Sequence, residues 1–322
     1  MSIAQTLTKQ FGEGIFKSAK EFNDIPEEIV SISPAHDLAL GGGIPKGSWV
    51  NVAGKPKTHK STTCLHIAKK CQEAGMEVYY GNVEGRLKKR DLNNGLDLDK
   101  FHIIESSESK LMTAVDYLTV FETILKETKN SVLIIDSISM LADEKEIEGG
   151  IGTSTRGGGA KYLAQFCRNM AGVAHVRNHI VLGILQLMAN TSGYGSPFQE
   201  KGGNSIVYQA DVRLIVKSSE LLKASDKVIG AEVKWLTLAS ALGMPPGQEY
   251  VSTIKYGKGI DEIGELVSIG ESLGLIEKGG SWYKFSLGLE EQKVQGIDKV
   301  RNFFDSNPKY VKALNKEIKA LI

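Results

Sequence analysis

The sequence predicts an α/β fold with a mainly parallel central sheet flanked by helices. Fully apolar runs such as SVLIIDS (131–137) and HIVLGILQL (179–187) alternate with segments of helical periodicity. This alternation is typical of parallel strands that are buried on both faces. In addition, NVAGKPKTHKSTTCLHIA (51–68) places a lysine-containing loop between a strand and a helix, which is the context that a phosphate-binding loop requires.

The individual elements follow from residue preference and periodicity. Four apolar residues about one turn apart predict a helix over 3–20, and prolines indicate an extended linker over 21–36. Further strands are predicted at 48–53, 76–84 and 100–106, with helices at 61–74, 111–128 and 159–175. Three strands without intervening helices, at 212–219, 231–240 and 249–257, indicate antiparallel additions at one edge. From about residue 262 the pattern predicts a small α/β domain.

The composition favours a soluble globular protein and excludes several classes. Of the 322 residues, 41% are hydrophobic and 24% are charged, which is ordinary for a chain with a sizeable core. The net charge is only +1, so a nucleic-acid site would have to come from local clustering of cations. The three cysteines have no ligand-pair spacing, which argues against a zinc site and fits a cytoplasmic setting. No apolar run predicts a signal sequence or a membrane span.

The loop after the first core strand has the pattern of a phosphate-binding loop with one position altered. A loop of this kind would be Gly-x-x-x-x-Gly-Lys-Ser, and His59 stands where the second glycine belongs. Lys60 would reach the terminal phosphates, and the Ser61 hydroxyl would bind Mg²⁺. A turn that merely contains lysine is the alternative. The predicted nucleotide-binding residues are Gly54, Lys55, Pro56, Lys57, Thr58, His59, Lys60, Ser61 and Thr62.

Polar residues end three other predicted strands. Asp136 follows VLII, where a ligand to a water of bound Mg²⁺ is found in nucleotide-binding folds. Glu84 ends the strand after the loop helix, and a carboxylate there could hold the water that attacks the γ-phosphate. Gln186 ends GILQ, and its amide could sense that phosphate. Each alone would more often be a solvated strand end, but together they predict one site at the carboxyl edge of the sheet.

These residues carry a resemblance to the RecA family of ATP-dependent DNA recombinases. The resemblance covers nearly the whole chain, in order and in spacing. Besides the loop, Glu84 and Gln186, it is carried by KQFGEGIF, LALGGGIPKG, VLIIDSISML, EKEIEGGIG, GYGSPFQEKGGNSIVYQADVRL, YGKGIDEIGELVSIG and GLIEKGGSWYKF. The altered loop, the compact length and the lack of an acidic C-terminal tail look more like a phage-encoded branch, which would act in the cytoplasm of a bacterial host cell.

The resemblance implies a fold, cofactors and roles. It implies a RecA-like core over 34–262, an N-terminal polymerisation helix and linker over 1–33, and a small C-terminal domain over 263–322. ATP and Mg²⁺ would be the cofactors. Lys60, Glu84 and Gln186 match the catalytic positions, while Ser61 and, through water, Asp136 match the metal positions. The partners implied are single- and double-stranded DNA, and further copies of the chain in a helical filament with ATP at the subunit interface.

Two glycine-rich segments match the family's DNA-binding loops, at about 148–158 and 187–203. Both lack apolar periodicity, and glycine lets backbone N–H groups approach phosphates closely. Nearby cations and a tyrosine able to stack on bases support the match, although each cation alone would more often be a solvated side chain. The predicted DNA-binding residues are Thr155, Arg156, Gly157, Gly158, Lys161, Arg168, Met188, Tyr194, Gly195, Lys201, Gly202, Gly203 and Asn204.

The chain also departs from the family. Relatives carry basic residues on the strand that reaches the neighbouring subunit's ATP, whereas here KWLTLAS has none after Lys234. The segment EGRLKKRD carries Lys88 and Asp91 where an acid and an aromatic residue are expected at the adenine. We therefore hypothesise slow turnover, or a substitute cation from a protonated His59 or from Lys201; a neutral, outward-facing His59 is the alternative.

Two other functions remain open from the sequence. One is a hexameric helicase-type motor built on the same core. The other is a protein that coats single-stranded DNA and hydrolyses ATP negligibly. Both would keep the nucleotide loop, so the sequence motifs alone do not separate them from a recombinase.

Overall fold

A ten-stranded mixed sheet forms the centre of the computed structural model, which describes residues 2–142, 158–190 and 198–321. Along the sheet the strand order is β12-β11-β10-β9-β3-β7-β6-β4-β5, with β8 paired to β7. The strands of this sheet are β3 (Trp49–Gly54), β4 (Glu77–Asn82), β5 (Phe101–Ile104), β6 (Ser131–Asp136), β7 (Ile180–Ala189), β8 (Phe198–Lys201), β9 (Val212–Ala224), β10 (Lys227–Ala239), β11 (Gln248–Lys255) and β12 (Gly259–Ile260). A two-stranded sheet pairs β1 (Ile29–Val30) with β2 (Ile44–Pro45).

Helices cover the sheet and build the C-terminal region. In the described residues they are α1 (Ile3–Phe11), α2 (Ala19–Asn23), α3 (Pro34–Leu40), α4 (Lys60–Glu73), α5 (Ala114–Glu127), α6 (Gly158–Val176), α7 (Asn204–Gln209), α8 (Glu262–Ser272), α9 (Ile297–Ser306) and α10 (Pro308–Ala320). Short 3₁₀ turns lie at Lys89–Leu92, Leu98–Lys100 and Ile138–Met140.

The pairing confirms the predicted fold class. Strands β9, β3, β7, β6, β4 and β5 run parallel to one another, and β9 to β12 continue antiparallel at one edge. All six residues of β3 are buried, as expected for a strand with a packed layer on each face. Two separate clusters of buried apolar side chains supply those layers, one around α4 and the other around α5 and α6. The sheet thereby holds the carboxyl ends of β3, β4, β6 and β7 at one edge.

The N-terminal predictions need correction. The helix predicted over 3–20 ends at Phe11, because Gly12 has a φ of +96° and its N–H caps the carbonyl of Thr8. The linker predicted over 21–36 is also not uniformly extended. It contains part of α2 and the start of α3, where Pro34 occupies the first helical position that proline favours.

The C-terminal residues pack around an apolar cluster of their own. Strands β13 (Glu277–Gly279), β14 (Trp282–Phe285) and β15 (Gln292–Gln295) form an antiparallel sheet, and α8, α9 and α10 pack with it. Glu265 of α8 accepts hydrogen bonds from the Ser252 hydroxyl (2.7 Å) and the Ala35 N–H (3.1 Å). Burial raises the pKa of Glu265 to about 7. The division at 33/34 and at 262/263 stays a prediction.

Among the described residues, we find no helix whose length and apolar character would suit a membrane span.

Candidate active site

The phosphate-type loop lies where the sequence predicted it, between the carboxyl end of β3 and the first turn of α4. Lys57 and His59 both adopt left-handed backbone conformations, with φ of +61° and +65°. At Gly54 an added Cβ would lie 2.9 Å from the Thr58 hydroxyl and 3.0 Å from Cβ of Val216. Glycine is therefore required by close packing at the start of the loop. The N-terminal end of a helix that follows such a loop favours an anion.

Lys60 turns back into the loop. Its Nζ donates hydrogen bonds to the carbonyl oxygens of Gly54 (3.0 Å) and Lys55 (2.8 Å). The side chain is buried, and this burial lowers the pKa of Lys60, while the carboxylates of Asp136 and Glu84 act in the opposite direction. The loop therefore holds an ammonium group beside two carboxylates, in a position suited to a polyphosphate.

His59 is held by two contacts within the chain. One ring nitrogen lies 3.0 Å from the Ser219 hydroxyl, and the other lies 3.2 Å from the Tyr256 hydroxyl. The ring also stacks on that of Tyr256, with centroids 5.8 Å apart. Burial lowers the pKa of His59, which disfavours the protonated ring. The ring faces Ser219 and Tyr256 instead of pointing outward, and a role for a protonated His59 in turnover stays a prediction.

Asp136 ends β6 beside the loop. The hydroxyl of Tyr80 donates a 2.5 Å hydrogen bond to its Oδ2. Burial raises the pKa of Asp136, whereas hydrogen bonds from Tyr80 and Ser61 lower it. Burial likewise raises the pKa of Tyr80 well above the usual tyrosine range, and the neighbouring carboxylate adds to this effect. The structure thus places the two predicted metal-site residues, Ser61 and Asp136, side by side.

Glu84 and Gln186 meet at the same edge of the sheet. The Gln186 Nε2 donates to Oε1 of Glu84 over 3.0 Å, and the Ser137 hydroxyl donates to the same oxygen over 2.6 Å. Arg86 pairs with the other oxygen at 3.1 Å. These residues lie far apart in sequence, and the parallel order β4-β6-β7 brings them together. A carboxylate held in this way can orient a water molecule and accept its proton.

A chain of hydrogen bonds connects Gln186 to β8, which follows the second glycine-rich segment. Gln186 is paired in register with Lys201. The Ser139 hydroxyl accepts from the Gln186 N–H over 2.9 Å and donates to the Lys201 carbonyl over 2.5 Å. In addition, the Lys55 ammonium lies 4.7 Å from the centroid of the Phe198 ring. The hydrogen bonds through Ser139 thus join Gln186 to β8, and the contact of Lys55 joins the nucleotide loop to the same strand, which follows the second glycine-rich segment.

A cavity of about 540 Å³ opens beside the loop. The Oδ1 atom of Asn94 is buried and has no hydrogen-bond partner among the described residues. A nucleoside bound in the cavity could donate a hydrogen bond to this oxygen, since a buried polar group without a partner costs free energy. The lining residues include His59, Ser61, Thr62, Leu65, Tyr80, Arg90, Asp91, Asn94, Asp136 and Tyr256.

Sequence reasoning missed several of these lining residues. It placed Asp91 in the region of the base, and Asp91 does line the cavity, whereas Lys88 is not among the lining residues. Tyr80 and Tyr256 were missed because each is an ordinary strand residue by pattern. Only the fold brings them to the loop, so no local signal in the sequence would have found them.

The predicted DNA-binding residues fall into three groups. Thr155, Arg156, Gly157, Tyr194 and Gly195 lie outside the described residues. Gly158 begins α6, and Met188 is exposed near the end of β7. Gly202 and Gly203 connect β8 to α7, which begins at Asn204. Three exposed cations flank the two glycine-rich segments and are called here the loop cations: Lys161, Arg168 and Lys201.

Two of the three loop cations share one face of α6. Lys161 and Arg168 are seven residues apart on that helix, so they project from the same face about two turns apart. Lys201 ends β8, which pairs antiparallel with β7 and places Lys201 opposite Gln186.

The site suits a magnesium ion held by few protein atoms. No group of three or more histidine, cysteine, aspartate or glutamate side chains gathers as a metal cage in the described part of the chain. The hydroxyl of Ser61 and the carboxylate of Asp136 are oxygen donors, which Mg²⁺ prefers. This ion usually keeps several waters and binds through one or two protein groups together with substrate phosphates.

The fold and this site define a class of α/β protein with a phosphate-type loop after the first core strand and with a carboxylate and a glutamine at the same edge of the sheet. Comparison with known proteins agrees and is more specific. The family models for the RecA N-terminal domain and the RecA C-terminal domain match residues 1–261 and 264–322. The chain belongs to the RecA family.

Curated relatives support the same assignment over nearly the full length. Protein RecA of Caulobacter vibrioides is 30% identical over 318 residues, which is 97% of this chain and 86% of that protein. Protein RecA of Campylobacter hominis is 31% identical over 314 residues, covering 96% and 87% of the two chains. Protein RecA of Campylobacter jejuni subsp. doylei is 30% identical over 320 residues, covering 98% and 90%. This similarity confirms the predicted resemblance and supports a RecA-type recombinase.

Proposed function

We propose that this chain is an ATP-dependent DNA recombinase that assembles as a helical filament on single-stranded DNA. In the filament it hydrolyses ATP to ADP and phosphate, pairs with homologous duplex DNA and exchanges strands, in recombination and DNA repair in the cytoplasm. The observation that carries the proposal is the contact between Glu84 and Gln186. It joins a hydrolytic carboxylate to the strand that leads into the second proposed DNA-binding segment.

The phosphate loop would bind ATP as its magnesium complex. Backbone N–H groups from Lys57 to Thr62 would donate to the phosphates, and Lys60 would neutralise the terminal ones. Ser61 would ligate Mg²⁺ directly, and Asp136 would bind it through water. When bound, Mg²⁺ withdraws charge from the phosphate oxygens. The cavity that reaches Asn94 and Tyr256 would take the nucleoside.

Glu84 would act as the general base of hydrolysis. Its carboxylate takes a proton from water, and the water oxygen forms a bond to the γ-phosphorus. The bond from that phosphorus to the β–γ bridging oxygen breaks, so ADP and phosphate are released. Gln186 donates a hydrogen bond to the Glu84 carboxylate in the structure. If this hydrogen bond changes when the γ-phosphate binds or leaves, the change would be transmitted to β7 and β8.

DNA would bind along the two glycine-rich segments. The loop cations supply positive charge beside them, and Met188 provides an exposed apolar contact. Thr155, Arg156, Gly157, Gly158, Tyr194, Gly195, Gly202, Gly203 and Asn204 complete the proposed surface. Local cations of this kind allow a chain of net charge +1 to bind a polyanion. Lys201 and a protonated His59 are the candidates for the cation that relatives supply from a neighbouring subunit, and the lowered pKa of His59 favours Lys201.

The N-terminal arm provides the proposed contact between subunits. No residue of α1 or α2 is buried, although several of their apolar side chains and those of the following segment are large. Ile3 and Phe22 are each 66% exposed and Phe11 is 59% exposed. An apolar surface of this extent is typical of an interaction site. A second copy of the chain would cover it in the proposed filament, in which ATP would lie at the interface between subunits.

Electron microscopy and a strand-exchange assay test the proposal together. With single-stranded DNA, ATP and Mg²⁺, we expect helical filaments and transfer of a labelled strand from homologous duplex DNA. Closed rings that unwind duplex DNA without exchange would favour the helicase-type motor. Filaments without strand exchange and with negligible ATP turnover would favour a coating protein.

A further inference from the structure

Tyr80 lies directly behind the proposed magnesium site and belongs to no motif discussed so far. It is the fourth residue of β4, and only 1% of its surface is exposed. Its ring stacks on Phe101 of the neighbouring strand β5, with centroids 5.8 Å apart. Because the strand backbone and the packed ring both fix the side chain, the hydroxyl oxygen has little freedom to move. That oxygen lies 2.5 Å from Oδ2 of Asp136.

The Tyr80 hydroxyl constrains which oxygens of Asp136 can face the metal. An ionised carboxylate offers about four acceptor positions. Tyr80 occupies one of them on Oδ2. The positions left over are those that can accept from waters of a bound Mg²⁺ ion. A short hydrogen bond to a charged acceptor is among the stronger ones in proteins and also fixes orientation.

We propose that Tyr80 is a positioning residue for the binding of magnesium nucleotide, acting through Asp136. The proposal depends on the function proposed above, because it requires that Asp136 faces a metal-bound water. The side chain touches neither nucleotide phosphate nor metal in this role. It orients the carboxylate before the ion arrives, so the cost of ordering Asp136 is not added to the cost of binding.

The Tyr80→Phe variant tests this role, with Tyr79→Phe as its matched control. Both changes remove one hydroxyl from adjacent residues of β4. The Tyr79 hydroxyl, however, donates to Glu77 over 3.0 Å and lies away from Asp136. Binding of a fluorescent ATP analogue is followed as Mg²⁺ is increased. We expect the half-saturating Mg²⁺ concentration to rise about tenfold in Tyr80→Phe, in the range typical for lost partners of metal ligands, and to stay unchanged in Tyr79→Phe.

Turnover separates positioning from chemistry. At saturating Mg²⁺, turnover of Tyr80→Phe is expected within about twofold of the wild type, since Glu84 is intact. A second readout is the rise in thermal unfolding temperature when Mg²⁺ is added in the presence of ATP. This rise can still be measured if the variant is less stable. Equal magnesium requirements for Tyr80→Phe and the wild type by both readouts would overturn the proposal. Failure of the wild type itself to bind magnesium nucleotide would instead overturn the proposed function.

Discussion

Replacing Glu84 by glutamine removes the proposed base while preserving the shape of the side chain. The Ser137 hydroxyl can still donate to an amide oxygen at the Oε1 position, and so can Gln186. The ion pair with Arg86 is lost, but the Arg86 side chain is 78% exposed, so this loss is worth at most about 1 kcal/mol. An amide cannot accept the proton of water, and general-base catalysis contributes about 10²–10⁴-fold in rate, or roughly 3–5 kcal/mol of barrier.

We therefore expect Glu84→Gln to bind ATP normally and to lose at least about 100-fold in turnover. Its filaments should also last longer. Phosphate release with single-stranded DNA measures turnover, and a fluorescent ATP analogue measures affinity. Arg86→Gln is the control, since it removes the ion pair and keeps the carboxylate; its turnover should fall by no more than about fivefold. A fall of less than about tenfold in Glu84→Gln, or under about 1.4 kcal/mol, would show that Glu84 is not the base.

Four further predictions concern other parts of the chain. Lys60→Ala should abolish nucleotide-dependent filament assembly with an unchanged circular dichroism spectrum; assembly and ATP affinity like the wild type would refute the loop assignment. Triple alanine substitution of the loop cations should reduce the log–log salt slope of single-stranded DNA binding by about 2, from roughly 0.7 per phosphate contact, and an unchanged slope would move the DNA path elsewhere. His59→Gly should add about 1–2 kcal/mol of stability, because glycine adopts the left-handed backbone conformation without strain. The same change removes two hydrogen bonds of about 1 kcal/mol each. Thermal unfolding should therefore change little, and turnover between pH 6 and 8 should not fall, whereas slower turnover would indicate a catalytic histidine. The pKa of Glu265 is raised from 4.5 to about 7, so its contribution to stability is fully present below pH 4.5 and is lost as the pH rises through 7. Urea unfolding should show that, between pH 5 and 8, the free energy of unfolding of the wild type falls by up to about 3 kcal/mol relative to that of Glu265→Gln. Parallel pH profiles would contradict this.

Most of the central fold could be predicted because its signals are local and strong. An apolar run such as SVLIIDS can be buried on both faces only in a covered parallel sheet. Once the strands are parallel, their carboxyl ends share one edge, and this geometry alone brings Asp136, Glu84 and Gln186 together. The sequence therefore predicted that these residues meet, although it did not predict that Gln186 bonds directly to Glu84.

The errors and omissions have physical causes that no short segment shows. The apolar periodicity of residues 3–15 continues past Gly12, but the backbone at that glycine turns and ends the helix. Burial lowers the pKa of His59, and the residues that its ring contacts lie 160 and 197 positions away in the sequence. Tyr80 is one of two adjacent tyrosines, and only the pairing of β4 with β6 decides which of them faces Asp136.

ATP turnover of the wild-type chain with and without single-stranded DNA tests the central claim most directly. Glu84 and Gln186, the proposed hydrolytic residues, are in contact, and Ser139 joins Gln186 to the strand that follows a proposed DNA-binding segment. We therefore predict that phosphate release increases when single-stranded DNA is added, and that Glu84→Gln removes the increase. Equal turnover with and without DNA, at concentrations where DNA is shown to be bound, would contradict it.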